Sequence, residues 1–307
     1  MDVLTLEQIR PLVPLEEAVA AMRAAFVAYE RGAAVMPFPW HLELPEIEGE
    51  VHVKGATLGG HPYFAVKLAS GSYRTGTHGG LVVVLDAATA LPHLLLLDDG
   101  WLTDVRTGAA GAVAADALAR ADVDTVAVIG TGVQAYHQMA ALLCVRRPRR
   151  LVVCGRDPGR AAAFAERARA LHTWDVTVAT AVPEAVATAD VVVTVTAATA
   201  PVLRAGWLSP GVHVTAVGSD APHKRELDPD VLTRADRIAV DDLVQSRRLG
   251  ELKGLDDTAL PVVSLGALLA GTAPGRTSDA DVTVADLTGL GVQDTAIANV
   301  VARRLSR

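Results

Sequence analysis

Apolar and polar positions along the chain follow two rhythms, and the change comes near position 120. From Leu4 to Arg31 a short turn leads into a helix that Pro14 can open. Ala18, Met22, Ala25, Phe26 and Tyr29 recur there at helical spacing, and Gly32 closes the helix. Short runs punctuated by Gly and Pro then predict strands at Trp40–Leu44, Glu50–Lys54, Tyr63–Ser70, Gly80–Asp86 and His93–Asp98. An uninterrupted series of strands suggests a mixed or antiparallel sheet. An alanine-rich helix follows over Thr103–Arg120, with Thr103 as its expected N-cap.

Beyond Asp122 strands and helices alternate. Val126–Ile129, Leu151–Cys154, Thr177–Thr180, Val191–Thr196, Val212–Val217, Arg237–Val240 and Val282–Ala285 read as buried strands. Helices are expected through Cys144, over Gly159–Leu171 and over Gln293–Arg304. Apolar strands alternating with helices predict a parallel sheet covered on both faces. The expected fold is therefore α/β: a Rossmann-type doubly wound parallel sheet over 120–288, preceded by a mixed-sheet domain over 1–119 to which 289–307 returns.

Composition narrows the partners. With 28 basic against 35 acidic residues the net charge is −7, which argues against a nucleic-acid surface, where phosphate neutralisation needs a basic patch. The cluster Arg146-Arg147-Pro148-Arg149-Arg150 reads as a solvated loop. Cys144 and Cys154 give neither a disulfide framework nor a metal quartet, and they read as small buried residues of a reducing compartment. No signal peptide and no span long enough for a bilayer is apparent, so a cytoplasmic protein without membrane attachment is expected.

The segment Val126-Ala-Val-Ile-Gly-Thr-Gly-Val-Gln-Ala135 joins a strand to a helix through a GxGxxA turn. Glycines at Gly130 and Gly132 allow a tight turn and close approach of the backbone, with Thr131, Val133 and Gln134 around them. Ala135 lets helix and strand pack closely. The free N–H groups of the helix then face phosphate, so the turn is a candidate dinucleotide cradle. At the end of the second strand Gly155 stands where an acid for the ribose 2′-hydroxyl would be expected, and Arg156 follows it. That favours NADP, while Asp157 keeps NAD open.

With Leu102-Thr-Asp-Val-Arg-Thr-Gly-Ala-Ala110 and Gly218-Ser-Asp-Ala-Pro-His-Lys-Arg-Glu-Leu-Asp228, this turn makes the whole chain resemble the ornithine cyclodeaminase/μ-crystallin family. Val51-His-Val-Lys-Gly55 and Leu97-Asp-Asp-Gly-Trp-Leu-Thr-Asp104 are similar to its ectoine-utilisation branch. The resemblance implies an enzyme that moves hydride between a nicotinamide and a carbon bearing nitrogen, and a homodimer built through the N-terminal substrate domain. It implies catalytic or substrate-binding roles for Lys67, Arg106, Asp220 and Lys224, and cofactor contacts from Thr196 and Thr288. Thr77 is a weaker correspondence, and no metal is implied.

Each has an alternative. Lys67 could be an edge-strand lysine in solvent, Arg106 a helix-surface ion pair, Asp220 an N-cap, and Arg156 a solvated loop residue. His52 and Lys54 share one face of their strand, which could extend the substrate site or be solvated. The family's arginine near the first strand is missing from Met36-Pro-Phe-Pro-Trp-His-Leu42, where Trp40 or His41 stands instead. The leading expectation is NAD(P)-dependent reduction of a small α-imino acid, or oxidation of an α-amino acid. The alternatives are redox-neutral cyclisation of a diamino acid with retained NAD, and a crystallin-like protein that binds cofactor without turnover.

Overall fold

Two sheets organise the chain in the computed structural model, which describes residues 1–72 and 74–306. They belong to two compact units, one formed by 1–106 with 290–307 and the other by 107–289. The division falls after Arg106, within the helix Trp101–Leu118.

The first unit holds seven strands: β1 (Asp2–Thr5), β2 (Ala34–Val35), β3 (Trp40–Leu44), β4 (Gly49–Leu58), β5 (Tyr63–Ser72), β6 (Thr77–Asp86) and β7 (Pro92–Leu97). Their order is β1-β7-β6-β5-β4-β2, with β3 also paired to β4. Only β1 with β7 is parallel; the other pairs are antiparallel, so the sheet is mixed. Alternate residues of each strand face opposite sides. Ala56, Leu58, Ala65, Val82, Val84, Leu94 and Leu96 are buried on one side. The helices Leu15–Glu30 and Gly291–Leu305 pack together, and the second of these covers β4 and β5.

That second, returning helix is buried over most of its length and sits on the sheet through small and polar residues. A Cβ on Gly291 would lie 2.5 Å from the Gly55 carbonyl oxygen, so only glycine permits this approach. The Thr295 hydroxyl donates to Ala56 O at 2.6 Å and accepts from Ala65 N at 3.0 Å, and Asn299 Nδ2 donates to Tyr63 O at 2.9 Å. The Thr295 hydroxyl and Asn299 Nδ2 are thus satisfied by strand backbone, which avoids the penalty of leaving them unpaired.

The second unit holds eight parallel strands in the order β10-β9-β8-β11-β12-β15-β13-β14. They are β8 (Thr125–Ile129), β9 (Arg150–Cys154), β10 (Asp175–Ala179), β11 (Val191–Thr194), β12 (His213–Ala216), β13 (Arg237–Val240), β14 (Val262–Ser264) and β15 (Thr283–Asp286). Successive residues of β8 join different cores. Ala127 and Ile129 pack with Val192, Val214 and Leu227, whereas Val126 and Val128 pack with Met139, Val153 and Phe164. Burial on both faces explains why these strands read as continuous apolar runs. Among the described residues no helix is long and apolar enough to cross a membrane.

The fold class is as expected, and the differences are local. Strands β1, β2 and β14 have only four, two and three residues, too few for an alternating pattern to show. The alanine-rich helix starts at Trp101 rather than at Thr103. Its first turn is capped by Asp98, whose Oδ2 accepts from Leu102 N at 2.8 Å, and Thr103 Oγ1 is buried without a partner.

Candidate functional site

In the first unit the sheet register sets charged side chains on the inner, helix-covered face. Lys54 on β4 stands directly opposite Lys67 on β5, and Lys67 opposite Val82 on β6. Both lysines are buried, Lys67 to 3% exposure. A buried ammonium needs a counter-charge, and the returning helix brings one. Lys67 Nζ lies 3.4 Å from Asp294 Oδ1, and Arg106 Nε donates to the same oxygen at 3.1 Å. Arg106 Nη1 donates to Gln293 Oε1 at 3.4 Å. Lys67 and Arg106 therefore meet at one carboxylate; neither is a solvated surface residue.

The balance of charge there is uneven. Three cations, Lys54, Lys67 and Arg106, lie with two buried acids: Asp294, whose Oδ2 makes no hydrogen bond, and Asp98, which interacts electrostatically with Lys67. Burial drives the Lys67 pKa down to about 7; Asp294 opposes this, while Arg106 and Lys54 add to it. Lys67 is thus poised to gain or lose a proton near neutrality. An anionic ligand would relieve the cation excess, and a guanidinium is well shaped to hold a carboxylate. Asp294 and Gln293 were not anticipated. The visible signal was the run Gly291–Ala302, in which Gln, Asp, Thr and Asn interrupt a sequence too apolar to be a surface helix.

The register also separates Trp40 from His41. Trp40 pairs with Val53 and lies on the outer face, 53% exposed, whereas His41 pairs with His52 on the face that carries Lys54 and Lys67. Thr77 opens β6 in an exposed position and shares a hydrogen bond with Thr75.

In the second unit the glycine turn follows β8. Gly130 has φ +123°, and a Cβ there would sit 2.5 Å from Val195 O, so the position requires glycine. Gly132 caps the helix Val133–Leu142, and a Cβ added to it would meet no protein atom. Thr131 lies over Gly155, where a Cβ would come within 2.7 Å of Thr131 Cγ2. Ala135, in the first turn of that helix, is fully buried. Gln134 Oε1 accepts from Gln138 Nε2 at 3.4 Å, and Val133 is exposed at the helix start. Open space above Gly132, at the free N–H groups of a ten-residue helix, fits the pyrophosphate of a dinucleotide. Arg156 is exposed beyond β9, and Asp157 caps the next helix by accepting from Arg160 N at 2.9 Å.

Beyond β12, Lys224 Nζ donates to Asp220 Oδ1 at 2.7 Å. Lys224 is buried and Asp220 half-buried, so the pair presents its carboxylate. Thr196 and Thr288 belong to a different set of contacts. Thr196 donates to Glu226 Oε1 through its amide (2.5 Å) and its hydroxyl (2.8 Å), while Glu226 Oε2 accepts from Thr194 Oγ1 and Gly218 N, each at 2.8 Å. Thr288 Oγ1 donates to Asp241 Oδ1 and accepts from Gln245 Nε2, both at 2.8 Å. Glu251 accepts from Glu226 N at 2.8 Å, and its own amide donates to Asp286 Oδ2 at 2.8 Å. Burial pushes the Glu226 carboxyl up to about 7 and, with Glu251 nearby, the Asp286 carboxyl up to about 8. These buried acids stitch the C-terminal ends of β11, β12, β13 and β15 together. None was anticipated; only Glu226 lies within a motif, Gly218–Asp228.

A parallel α/β sheet with a glycine cradle on its first strand defines a nicotinamide-dinucleotide-binding protein of the Rossmann class. The profile of the ornithine cyclodeaminase/mu-crystallin family matches residues 1–307. An uncharacterized cyclodeaminase of Sinorhizobium fredii is 44% identical over 318 residues, spanning 99% of this chain and 96% of that one. An archaeal alanine dehydrogenase dimer with bound NAD superposes with a TM-score of 0.91 at 33% identity, over 99% of this chain and 96% of its own. The Δ1-pyrroline-2-carboxylate reductase of Thermococcus litoralis, in complex with NADH and L-proline, gives 0.93 at 25% identity, over 100% and 98%. The chain belongs to the ornithine cyclodeaminase/mu-crystallin family, and is an NAD(P)-dependent oxidoreductase or cyclodeaminase.

Proposed function

We propose that this protein reduces the carbon–nitrogen double bond of a small α-imino acid, or oxidises the corresponding α-amino acid, with NADP as its preferred dinucleotide. The observation that carries this reading is the buried cluster Lys67–Arg106–Asp294, which combines a carboxylate-binding guanidinium with an ammonium that titrates near 7.

Arg106 and Lys67 orient the substrate carboxylate, and Asp294 fixes both cations in place. Protonated Lys67 supplies the proton that the substrate nitrogen gains on reduction and, as a neutral amine, takes it back in the reverse direction. In the second unit Gly130, Thr131, Gly132, Val133, Gln134 and Ala135 would hold the pyrophosphate, with Thr196 and Thr288 near the strand ends that face the cofactor. A nicotinamide bound there supplies or accepts the hydride. Arg156 favours a 2′-phosphate, since Asp157 is occupied as a helix cap. The structural relatives named above carry NAD or NADH, so cofactor preference is a point on which this chain is proposed to differ.

A second reading, redox-neutral deaminating cyclisation of a diamino acid, is favoured by the Asp220–Lys224 pair. There Asp220 would accept a proton from the attacking amine. Homodimerisation is proposed through the outer face of the first sheet, where Trp40, Leu42, Val66 and Leu68 are exposed together; the archaeal alanine dehydrogenase is a dimer.

Turnover of a panel of cyclic and acyclic imines and diamino acids, after fluorescence titration with NADH and NADPH, tests these readings. Imine-dependent loss of nicotinamide absorbance is expected. Ammonia release without net cofactor change would replace the first reading with the second, and cofactor binding with neither outcome would overturn both.

A further inference from the structure

On the inner face of the first sheet, two rungs along β4 from Lys54, lies a cluster to which the reactions above assign no part. His41 on β3 and His52 on β4 are direct cross-strand partners, and Glu50 stands two residues before His52 on the same face. The imidazole rings are stacked, with centroids 4.4 Å apart and planes within 9°. Both present Nε2 to the same carboxylate oxygen: His41 Nε2 is 3.5 Å and His52 Nε2 3.2 Å from Glu50 Oε2. Both Nε2 atoms are buried, and neither makes a hydrogen bond.

Glu50 Oε2 is thus faced by two buried imidazole nitrogens that make no hydrogen bond. A divalent cation would satisfy all three donors at once. The three donor atoms lie within 4.8 Å of one another. In a tetrahedral site with bonds of about 2.0–2.1 Å, neighbouring donors are about 3.3 Å apart. Both nitrogen–oxygen edges are already close to that length.

We infer that His41, Glu50 and His52 form a binding site for a divalent transition-metal ion of the zinc, cobalt or nickel type. The site is empty in this structure. Two imidazoles and one carboxylate suit such borderline ions rather than calcium or magnesium, which take oxygen donors. Three protein ligands leave a coordination position for water or another oxygen ligand. The sequence contained the signal in part: the pattern Glu50-x-His52 places both side chains on one face of a strand. The partner histidine comes from strand pairing that sequence alone does not fix.

The test uses the full chain, stripped with chelator and titrated with Co²⁺ followed by visible absorption, then with Zn²⁺ in competition. One equivalent per chain is expected, with a Kd of about 10 µM or tighter and a d–d band that Zn²⁺ removes. His41→Gln and Glu50→Gln should each weaken binding at least about tenfold. NADH titration of the same variants reports that the second unit is folded, and circular dichroism reports the first. Less than one equivalent of Co²⁺, or binding unchanged in both folded variants, overturns the assignment. The binding readout is independent of any turnover, so it stands or falls separately from the proposed reaction.

Discussion

Both units bury ionisable side chains, and they do so in opposite ways. In the second unit the buried groups are acids, and each of Glu226, Glu251 and Asp241 is held by backbone amides from the strand ends. Every donor in this network comes from the protein; Asp286 Oδ1 is buried without a partner, and the other contacts act as a clamp. In the first unit three buried cations, Lys54, Lys67 and Arg106, stand with two buried carboxylates, Asp294 and Asp98, each with one oxygen that makes no hydrogen bond. That set leaves carboxylate oxygens without donors, so it is incomplete in the fold. Burial of charge is therefore no sign of a binding site by itself; what separates the two sets is the charge they gather, acids held by backbone amides in one and cations in the other.

Substitution of Lys67 probes the incomplete set most directly. Lys67→Met should lower kcat/KM for imine reduction by about 10³-fold, with dinucleotide affinity unchanged in a fluorescence titration. A fall of less than tenfold would remove Lys67 from proton transfer. In the native enzyme the reductive rate should decline as pH rises through about 7, because protonated Lys67 is the competent form.

Asp294→Asn comes next. Losing the shared counter-charge should reduce kcat/KM roughly thirtyfold, or ~2 kcal/mol. Because Asp294 raises the Lys67 pKa, its loss should move the pH limb to lower values. A limb that stays in place would separate the two residues. Arg156→Ala is smaller again: NADPH should bind about tenfold more weakly, ~1.4 kcal/mol, while NADH is unaffected.

The least change is expected in the clamp. The carboxyls of Asp286 and Glu226 are raised in the fold, so the native state binds more protons than the unfolded chain between their ordinary and shifted values. Stability should therefore fall as pH rises from about 5 to 8, by up to about 1.4 kcal/mol per pH unit for each group. Lys67, lowered instead, acts in the opposite direction above about 7. Asp286→Asn should flatten the decline measured by thermal unfolding, leaving Tm near pH 5 within about 2–4 °C of wild type. An unchanged slope would show that Asp286 is ionised in the fold.

Much of the architecture was legible because burial on two faces writes long apolar runs, as in β8 and β11. The glycine turn was legible because its backbone demands are local to six residues. The Lys67–Arg106–Asp294 cluster was only half legible. Lys67 and Arg106 stand out within apolar surroundings and recognised motifs, but Asp294 is 188 residues from Arg106 and becomes its partner only through the returning helix. Of the acid clamp only Glu226 lies within a motif, Gly218–Asp228; elsewhere a Glu or Asp near a strand end looks like a solvated loop residue. Trp40 and His41 are adjacent in sequence but face opposite sides of the sheet, a distinction that only register decides.

Gly291 and Gly55 bear on how the protein comes into being. The helix that seats against Gly55 leaves the ribosome long after the strands it covers, with the entire second unit translated in between. The first sheet must wait through that interval with its inner face uncovered and its lysines without Asp294. A nascent chain therefore has time to assemble the dinucleotide fold before the other unit closes. Any side chain at position 291 that delays docking would be felt as lost yield during synthesis, before it is felt as lost catalysis.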